Sequence, residues 1–324
     1  MAGTDLSGGA VAVAARQRPW AARGESDARR GRRPARRGDG RIAWVFLAPA
    51  LIGFALFYLY PTIRGAYFSF TDYDLLSSPH SVGFANYTAL WHDPLYWNAL
   101  RVTLQYVVIN IVSQTVLALA LAWLMFRLTR SVLVRVLLLV PWLVPNVAVG
   151  LLWLWLLDAN LGLVNHLITA VGGSSQGFFT TPSLAMPTIA MINTWQYTGY
   201  TALLFYAGML QIPGNLYESA RLDGAGELRT FTRITLPLLR PILALVLVVS
   251  LIGSFQIFDT ISITPTHGGP INATRAVYYY IYELAFTQFR MGYACAVAMT
   301  LVLILGLLTF VQMRLLRASR SDLS

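Results

Sequence analysis

A group of amide and tyrosine side chains within the segment NTWQYTGY is the part of the sequence best suited to hold a polar ligand. Its members are Asn193, Gln196, Tyr197 and Tyr200. Their spacing places all four on one face of a helix. Amides supply hydrogen bonds and aromatic rings supply a stacking surface, which together suit a sugar. Asn146 and Gln256, also in apolar segments, complete this set of candidate pathway residues, and hydrogen bonding between helices is their alternative role.

A second candidate site is the segment NLYESARLDGAGELRTFTRITLPLLRP, which begins at Asn215 and concentrates seven charged residues in 27 positions. Asn215 is a suitable N-cap, and Glu218 three positions later approximates a capping box. The pattern predicts a short helix that ends near Leu222. Gly224 should terminate it, because glycine accepts the left-handed conformation that follows many helices.

A second short helix is predicted to follow the glycine turn. It should begin near Glu227, after Gly226, and Pro237 should end or kink it because proline lacks a backbone N–H and clashes with the preceding turn. Two short helices at a fixed angle make a rigid projection that can insert into a groove on another protein. An amphipathic helix pair that rests on lipid is the alternative. The residues alone leave both interpretations open.

The composition around these two sites is typical of a membrane protein. Of the 324 residues, 56% are hydrophobic and 12% are charged, whereas soluble domains carry about 25% charged residues. A spanning helix needs about 20 apolar residues. Six segments meet this length: Ile42–Ile63, Val102–Phe126, Val136–Leu157, a window centred on Ser183–Ile212, Pro241–Phe258 and Met291–Met313. We predict an all-α integral membrane protein with six transmembrane helices, in which Pro141 and Pro145 kink the third helix and Pro187 the fourth.

The distribution of arginine predicts the orientation. With both termini in the cytoplasm, 20 of the 24 basic residues, all arginine, lie on the inner side, as the positive-inside rule requires. The Arg-rich tail has too little apolar surface to fold. The predicted layout is a disordered basic cytoplasmic tail over 1–41, a transmembrane domain over 42–318 and a short cytoplasmic tail over 319–324. Within the domain we expect a cytoplasmic loop over 213–240 and outer connections over 64–100, 158–182 and 259–290.

Several function classes are disfavoured by what the sequence lacks. A chain without lysine has no P-loop, so any ATP chemistry requires a partner protein. The six segments hold no Asp, Glu, Lys, Arg or His, which argues against an ion-coupled secondary transporter. No metalloprotease or serine-hydrolase motif is present, and His166 and His267 are isolated. We therefore predict neither an enzyme nor a metal site, and we expect the basic tail to be solvated and not to bind nucleic acid.

The charged segment resembles the EAA loop of ABC-importer permease subunits, whose pattern is Glu-Ala-Ala, then Asp-Gly-Ala, then Leu-Pro. The corresponding residues are Glu218, Ser219, Ala220, Asp223, Gly224, Ala225, Leu236 and Pro237, with serine in place of the middle alanine. LAPALIGFALFYLYPTIRGAYFSFTDYD and GFANYTALWHDPLYWNAL resemble the first helix and first outer loop of the sugar-permease branch of that family.

This resemblance implies a type I importer permease of MetI-like architecture in the bacterial inner membrane. The implied partners are a second, homologous permease subunit in a heterodimer, two ATPase subunits, an extracytoplasmic solute-binding lipoprotein and membrane lipid. ATP and Mg²⁺ would be bound by the ATPase subunits, and this chain would bind no cofactor. The eight loop residues would couple ATP hydrolysis to transport of a sugar or related polyol. Import of glycerol 3-phosphate or glycerophosphodiesters is the alternative, because the same branch includes such importers.

Overall fold

The computed structural model describes residues 39–129, 131–264 and 268–317, so residues 1–38 and 319–324 of the predicted tails lie outside the described part of the chain. The described residues form two units, one that ends at Tyr60 and one that begins at Pro61. The first unit contains α1 (Asp39–Phe54) and a π-helical turn at Ala55–Leu59. Because α1 begins at Asp39, the last three residues of the predicted disordered tail are helical.

The remaining α-helices follow in chain order. They are α2 (Tyr60–Phe68), α3 (Ala85–Trp91), α4 (Pro94–Leu128), α5 (Val132–Leu143), α6 (Asn146–Leu156), α7 (Leu163–Ala170), α8 (Pro182–Met209), α9 (Gly214–Leu222), α10 (Glu227–Thr230), α11 (Leu236–Leu238), α12 (Arg240–Phe255), α13 (Asp259–Ser262), α14 (Val277–Tyr282) and α15 (Met291–Arg317). Among the described residues, extended pairing is limited to one isolated bridge between Thr71 and Ser81. The predicted all-α class is confirmed.

Four helical segments are long and apolar enough to cross a membrane, and the bent pair α5 and α6 makes a fifth if it counts as one span. The four are Trp44–Phe68, Pro94–Leu128, Arg240–Ser262 and Met291–Leu315. α8 has 28 residues and is about 42 Å long, but its amides and threonines lower its hydropathy. The sixth span therefore stays a prediction.

The predicted third span is two helices and not one. α5 and α6 are bent by 92° at Val144 and Pro145, where the backbone of Val144 is extended (φ −80°, ψ 134°). Pro145 disfavours the helical conformation at the residue before it and donates no backbone hydrogen bond. The kink predicted at Pro145 is confirmed, whereas α5 continues through Pro141 and α8 through Pro187.

α8 packs against α4 and α5 through small residues. Ala118 and Ala122 of α4 and Ala202 of α8 are fully buried, which allows close approach of the helix backbones. Gly199 of α8 lies against α5, where an added Cβ would clash with the carbonyl oxygen of Leu138. These contacts fix the rotation of α8, and with it the direction of its amides and tyrosines.

Asp93 connects α4 to the chain around α14 and α15. Its Oδ1 accepts the N–H of Leu95 and caps α4, and its Oδ2 accepts the hydroxyls of Tyr280 (2.6 Å) and Tyr293 (2.7 Å). Burial raises the pKa of the Asp93 carboxyl, but these hydrogen bonds outweigh burial and hold the pKa below its usual value. The part of the chain predicted as an outer connection, 259–290, is therefore attached to the helices by specific side chains.

Candidate functional site

A cavity of about 450 Å³ lies between α4, α5, α6, α8, α12 and α13, within the usual size range of small-molecule sites. Five of the six candidate pathway residues line it: Asn146, Asn193, Tyr197, Tyr200 and Gln256. Asn193, Tyr197 and Tyr200 reach it from one face of α8, as their spacing predicts. The sixth candidate, Gln196, lies elsewhere.

Asn146 is the centre of the polar wall. It is the first residue of α6, directly after the break. Its Oδ1 accepts hydrogen bonds from Gln196 Nε2 (3.0 Å) and the Tyr197 hydroxyl (3.1 Å), and its Nδ2 donates to Asp259 Oδ2 (2.8 Å). The partners on both sides define the orientation of the amide, because an amide oxygen only accepts and an amide nitrogen only donates. Asn146 thereby joins α6, α8 and α13 at the cavity.

Gln196 lies behind this wall and supports the bend. Its side chain is buried, with 1% exposure, and its Nε2 also donates to the backbone carbonyl of Val144 at 3.0 Å. The break after α5 leaves that carbonyl without a helical partner, and a buried carbonyl needs one. Among the described residues nothing bonds to Gln196 Oε1. For Gln196 the structure favours the alternative role, hydrogen bonding between helices.

An aromatic stack forms another part of the cavity wall. The rings of Trp142 on α5 and Tyr200 on α8 are 4.6 Å apart between centroids, with a 9° angle between their planes. The stack places a broad apolar surface beside the amides. Stacking surface next to hydrogen-bonding groups is the arrangement that binds a sugar ring.

Two amides on α4 also line the cavity, although they are not among the six candidates. Asn110 Nδ2 donates to Ser254 Oγ (3.1 Å), and Gln114 Nε2 donates to Thr201 Oγ1 (2.7 Å). They therefore join α4 to α12 and α8 while facing the same space. Their sequence signal is an amide pair one helical turn apart inside an apolar span.

Asp259 is a cavity residue that the sequence did not identify. The hydropathy pattern predicts a fifth span that ends at Phe258 and assigns Asp259 to an outer connection. In the structure α12 ends at Phe255, and a non-helical link leads to α13, which begins at Asp259 on the cavity wall. The available signal was the polar run Ser254, Gln256 and Asp259 at the end of an apolar segment.

The charged loop forms the predicted helix, turn and helix. After α9, the N–H of Gly224 donates to the carbonyl of Arg221 (3.0 Å), and the N–H of Ala225 donates to that of Ala220 (2.9 Å). These two bonds define a Schellman motif. Gly224 has a φ of +73°, which is the reason that this position needs glycine.

Two details of the loop differ from the prediction. α9 begins at Gly214 after Pro213, so Asn215 lies inside the first turn and no side chain caps the helix; the assignment of Asn215 as N-cap is wrong. Pro213 itself occupies the N-cap position, where its ring fixes φ at −58°. Pro237 lies inside α11, which ends one residue later at Leu238, and the π-helical turn at Phe231–Thr235 that precedes it widens the turn that proline would otherwise obstruct.

The eight residues that resemble the EAA pattern differ in their exposure to solvent. Glu218, Ser219, Asp223 and Gly224 are exposed, Ala225, Leu236 and Pro237 are half-buried, and Ala220 is buried. Within the described part of the chain, neither Glu218 nor Asp223 forms an ion pair. Their carboxylates are therefore available to a molecule outside this chain.

Arg127 joins the end of α4 to both halves of the loop, and sequence reasoning did not select it. Its guanidinium lies 4.4 Å from the ring centroid of Trp123 and 5.5 Å from that of Tyr217 on α9, and it pairs with Glu227 of α10 at 2.8 Å. Arg127 is mostly buried (16% exposed) and Glu227 mostly exposed (63%). Planar stacking and charge pairing together favour arginine here over lysine.

Comparison with known proteins places this architecture in a family. Residues 114–321 match the family model described as "Binding-protein-dependent transport system inner membrane component". The sulfoquinovosyl glycerol permease SmoG of Agrobacterium fabrum is 34% identical over 284 residues, which cover 86% of this chain and 92% of the relative. The lactose permease LacF of Rhizobium radiobacter is 32% identical over 276 residues, 83% of this chain and 92% of the relative.

A further relative and a solved structure extend the comparison. The sn-glycerol-3-phosphate permease UgpA of Shigella flexneri is 31% identical over 277 residues, 84% of this chain and 93% of the relative. A bacterial ABC transporter that imports the acidic polysaccharide alginate has the same fold, with a TM-score of 0.75 at 24% identity over 89% of this chain and 98% of that chain. The chain belongs to the family of binding-protein-dependent transport system inner membrane components, the permease subunits of ABC transporters, which are transport components and not enzymes.

Proposed function

We propose that this chain is one permease subunit of an ATP-driven importer and that a sugar or related polyol passes through the cavity by alternating access. The observation that carries the proposal is the cavity wall, in which the Trp142 and Tyr200 stack stands beside the Asn146 hydrogen-bond network. The name of LacF, a lactose permease, agrees with such a cargo. Glycerol 3-phosphate or a glycerophosphodiester is the second candidate, which the likeness to UgpA favours.

The proposed assembly contains this chain, a second homologous permease, two ATPase subunits that bind ATP and Mg²⁺, and an extracytoplasmic solute-binding lipoprotein. In the proposed topology of six spans with both termini in the cytoplasm, the 213–240 loop lies beside the ATPases and the 64–100, 158–182 and 259–290 connections lie outside, with Asp259, the first residue of the last connection, on the cavity wall. We propose that residues 215–237 couple ATP hydrolysis to transport. The exposed, unpaired carboxylates of Glu218 and Asp223 and the turn fixed by Gly224 support this role. An ion-coupled carrier is a remote alternative, because the family match is to ABC permeases.

Removal of the aromatic stack tests the cargo pathway. In the complete importer reconstituted in proteoliposomes, we expect Trp142→Ala to lower ATP-driven uptake of a radiolabelled disaccharide about tenfold, because it removes the ring that stacks on Tyr200. The matched control is Trp155→Ala, since Trp155 on α6 is 60% exposed and does not line the cavity. Equal uptake by the two variants contradicts the proposed pathway, and uptake of glycerol 3-phosphate but of no disaccharide favours the second candidate.

Arg127 provides a test of the coupling role. We expect Arg127→Ala to reduce the number of cargo molecules transported per ATP hydrolysed about threefold, and Arg127→Lys to have an intermediate effect because lysine keeps the charge but loses the planar stack. The ion pair itself contributes little, since Glu227 is largely exposed. Uptake and phosphate release are measured on the same proteoliposomes. Arg101→Ala, at the opposite end of α4, is the control, and an unchanged ratio in Arg127→Ala removes Arg127 from the coupling mechanism.

A further inference from the structure

We infer that Asp259 determines the charge preference of the cavity, so that it accepts uncharged polyhydroxy compounds and rejects anions such as sugar acids and phosphate esters. The inference rests on the proposed function, because it assumes that cargo enters this cavity. It adds a specificity-determining residue and decides between the two candidate cargo classes.

The hydrogen-bond network fixes the position of the Asp259 carboxylate. Asn146 Oδ1 already accepts from Gln196 and Tyr197, so the nitrogen of the same amide must face Asp259, and it donates to Oδ2 at 2.8 Å. Among the described residues no other donor reaches this carboxylate. A carboxylate only accepts hydrogen bonds, so its second oxygen is available for a hydroxyl group of a ligand in the cavity.

The rest of the lining leaves the carboxylate charge without a counter-charge. Among the described residues that line the cavity, Asp259 is the one acidic residue, and none is arginine or histidine. The other polar groups are uncharged amides, hydroxyls and phenols. Arg275, the next arginine along the chain, is already paired with Glu283 at 3.1 Å. An anion in this partly desolvated space would meet the carboxylate at short range with weak screening.

The same wall favours a neutral polyol. Each sugar hydroxyl can both donate and accept, so it can donate to the free oxygen of Asp259 and accept from the amide of Gln256, which also lines the cavity. The ring of such a ligand can pack against the part of the Trp142 and Tyr200 stack that faces the cavity. Asp259 therefore contributes hydrogen bonding to a neutral cargo and repulsion to an anionic one.

A pair of probes that differ at a single ring substituent, neutral in one and anionic in the other, tests this inference. They are p-nitrophenyl β-glucoside and p-nitrophenyl β-glucuronide, in which a CH₂OH group is replaced by a carboxylate. Binding of each to the complete importer in nanodiscs, without nucleotide or solute-binding protein, is measured by isothermal titration calorimetry. We expect the unaltered importer to bind the glucoside at least tenfold more tightly than the glucuronide. We expect Asp259→Asn, which keeps the shape and an acceptor for Asn146, to reduce that ratio to about twofold by strengthening glucuronide binding.

Two further variants separate charge from structure. Asp259→Glu keeps the charge and should keep a preference for the glucoside. If the role of Asp259 is purely structural, Asp259→Glu should instead reduce the ratio of glucoside to glucuronide affinity at least as much as Asp259→Asn does. Asp158→Asn, in an exposed turn away from the cavity, should leave the ratio unchanged. An unchanged ratio in Asp259→Asn overturns the role of Asp259 but leaves the proposed function standing. If the unaltered importer binds neither probe, or if Trp142→Ala binds the glucoside as well as the unaltered importer does, the proposed function itself fails.

Discussion

Replacement of Gly224 by valine is expected to abolish most transport while the ATPase subunits still hydrolyse ATP. Gly224 has a φ of +73°, in the left-handed region that costs an L-residue about 1–2 kcal/mol and a β-branched residue more. A Cβ added at this position has no heavy atom within 4 Å among its neighbours, so crowding does not contribute to the effect. We therefore expect valine to destabilise the turn between α9 and α10, because the two Schellman hydrogen bonds define its geometry.

The measurement is uptake and ATP hydrolysis by purified importers in proteoliposomes, where Gly224→Val should lower uptake more than tenfold and hydrolysis less than twofold. Gly224→Asn is the matched control, because asparagine tolerates the left-handed conformation, and it should retain most uptake. Normal uptake by the valine variant would falsify the assignment of this turn as the coupling joint. Equal losses in the valine and asparagine variants would instead indicate that the exposed surface at this position requires a residue without a side chain.

Substitution of Gly199 by alanine is expected to destabilise the helical domain and to disturb the cavity. An added Cβ would clash with the backbone carbonyl oxygen of Leu138, and a backbone atom cannot rotate away as a side chain can. Overpacking of this kind costs about 1–3 kcal/mol. The neighbouring residue, Tyr200, stacks on Trp142 of α5, so separation of α5 from α8 should also separate the two rings.

Thermal unfolding of the importer in detergent, together with titration of p-nitrophenyl β-glucoside, measures both effects. We expect Gly199→Ala to lower the Tm by several degrees and to weaken glucoside binding at least fivefold. Gly306→Ala is the control, because Gly306 lies in α15 with nothing within 4 Å of an added Cβ, and alanine favours a helix. A Tm and affinity equal to those of the unaltered importer would show that α5 and α8 do not approach as closely as their backbones indicate.

The sequence predicts those structural features that depend on residues close together in the chain. Long apolar runs specify helices by their length, and the pair Gly224 and Gly226 specifies the turn in the charged loop. Proline chemistry makes Val144 and Pro145 a candidate break, but it does not decide the position alone, because Pro141 and Pro187 lie inside helices. Asn215 as N-cap is a local error, because Pro213 supplies the helix start by presetting the backbone.

The tertiary structure alone decided which polar side chains share a space. Asn193 and Gln196 are both amides in one helical turn, yet Asn193 lines the cavity and Gln196 bonds to the bend behind it. Asp259 follows an apolar run, so the sequence predicts a loop position for it. In the structure, the non-helical link after Phe255 places Asp259 at the start of α13, on the cavity wall. The sequence by itself determined the helices, the turn and the family resemblance, because these depend on neighbouring residues. Contacts between residues 50 to 113 positions apart, such as those of Asn146 with Gln196 and Asp259, arise only when the helices pack, and these contacts decide what the cavity can bind.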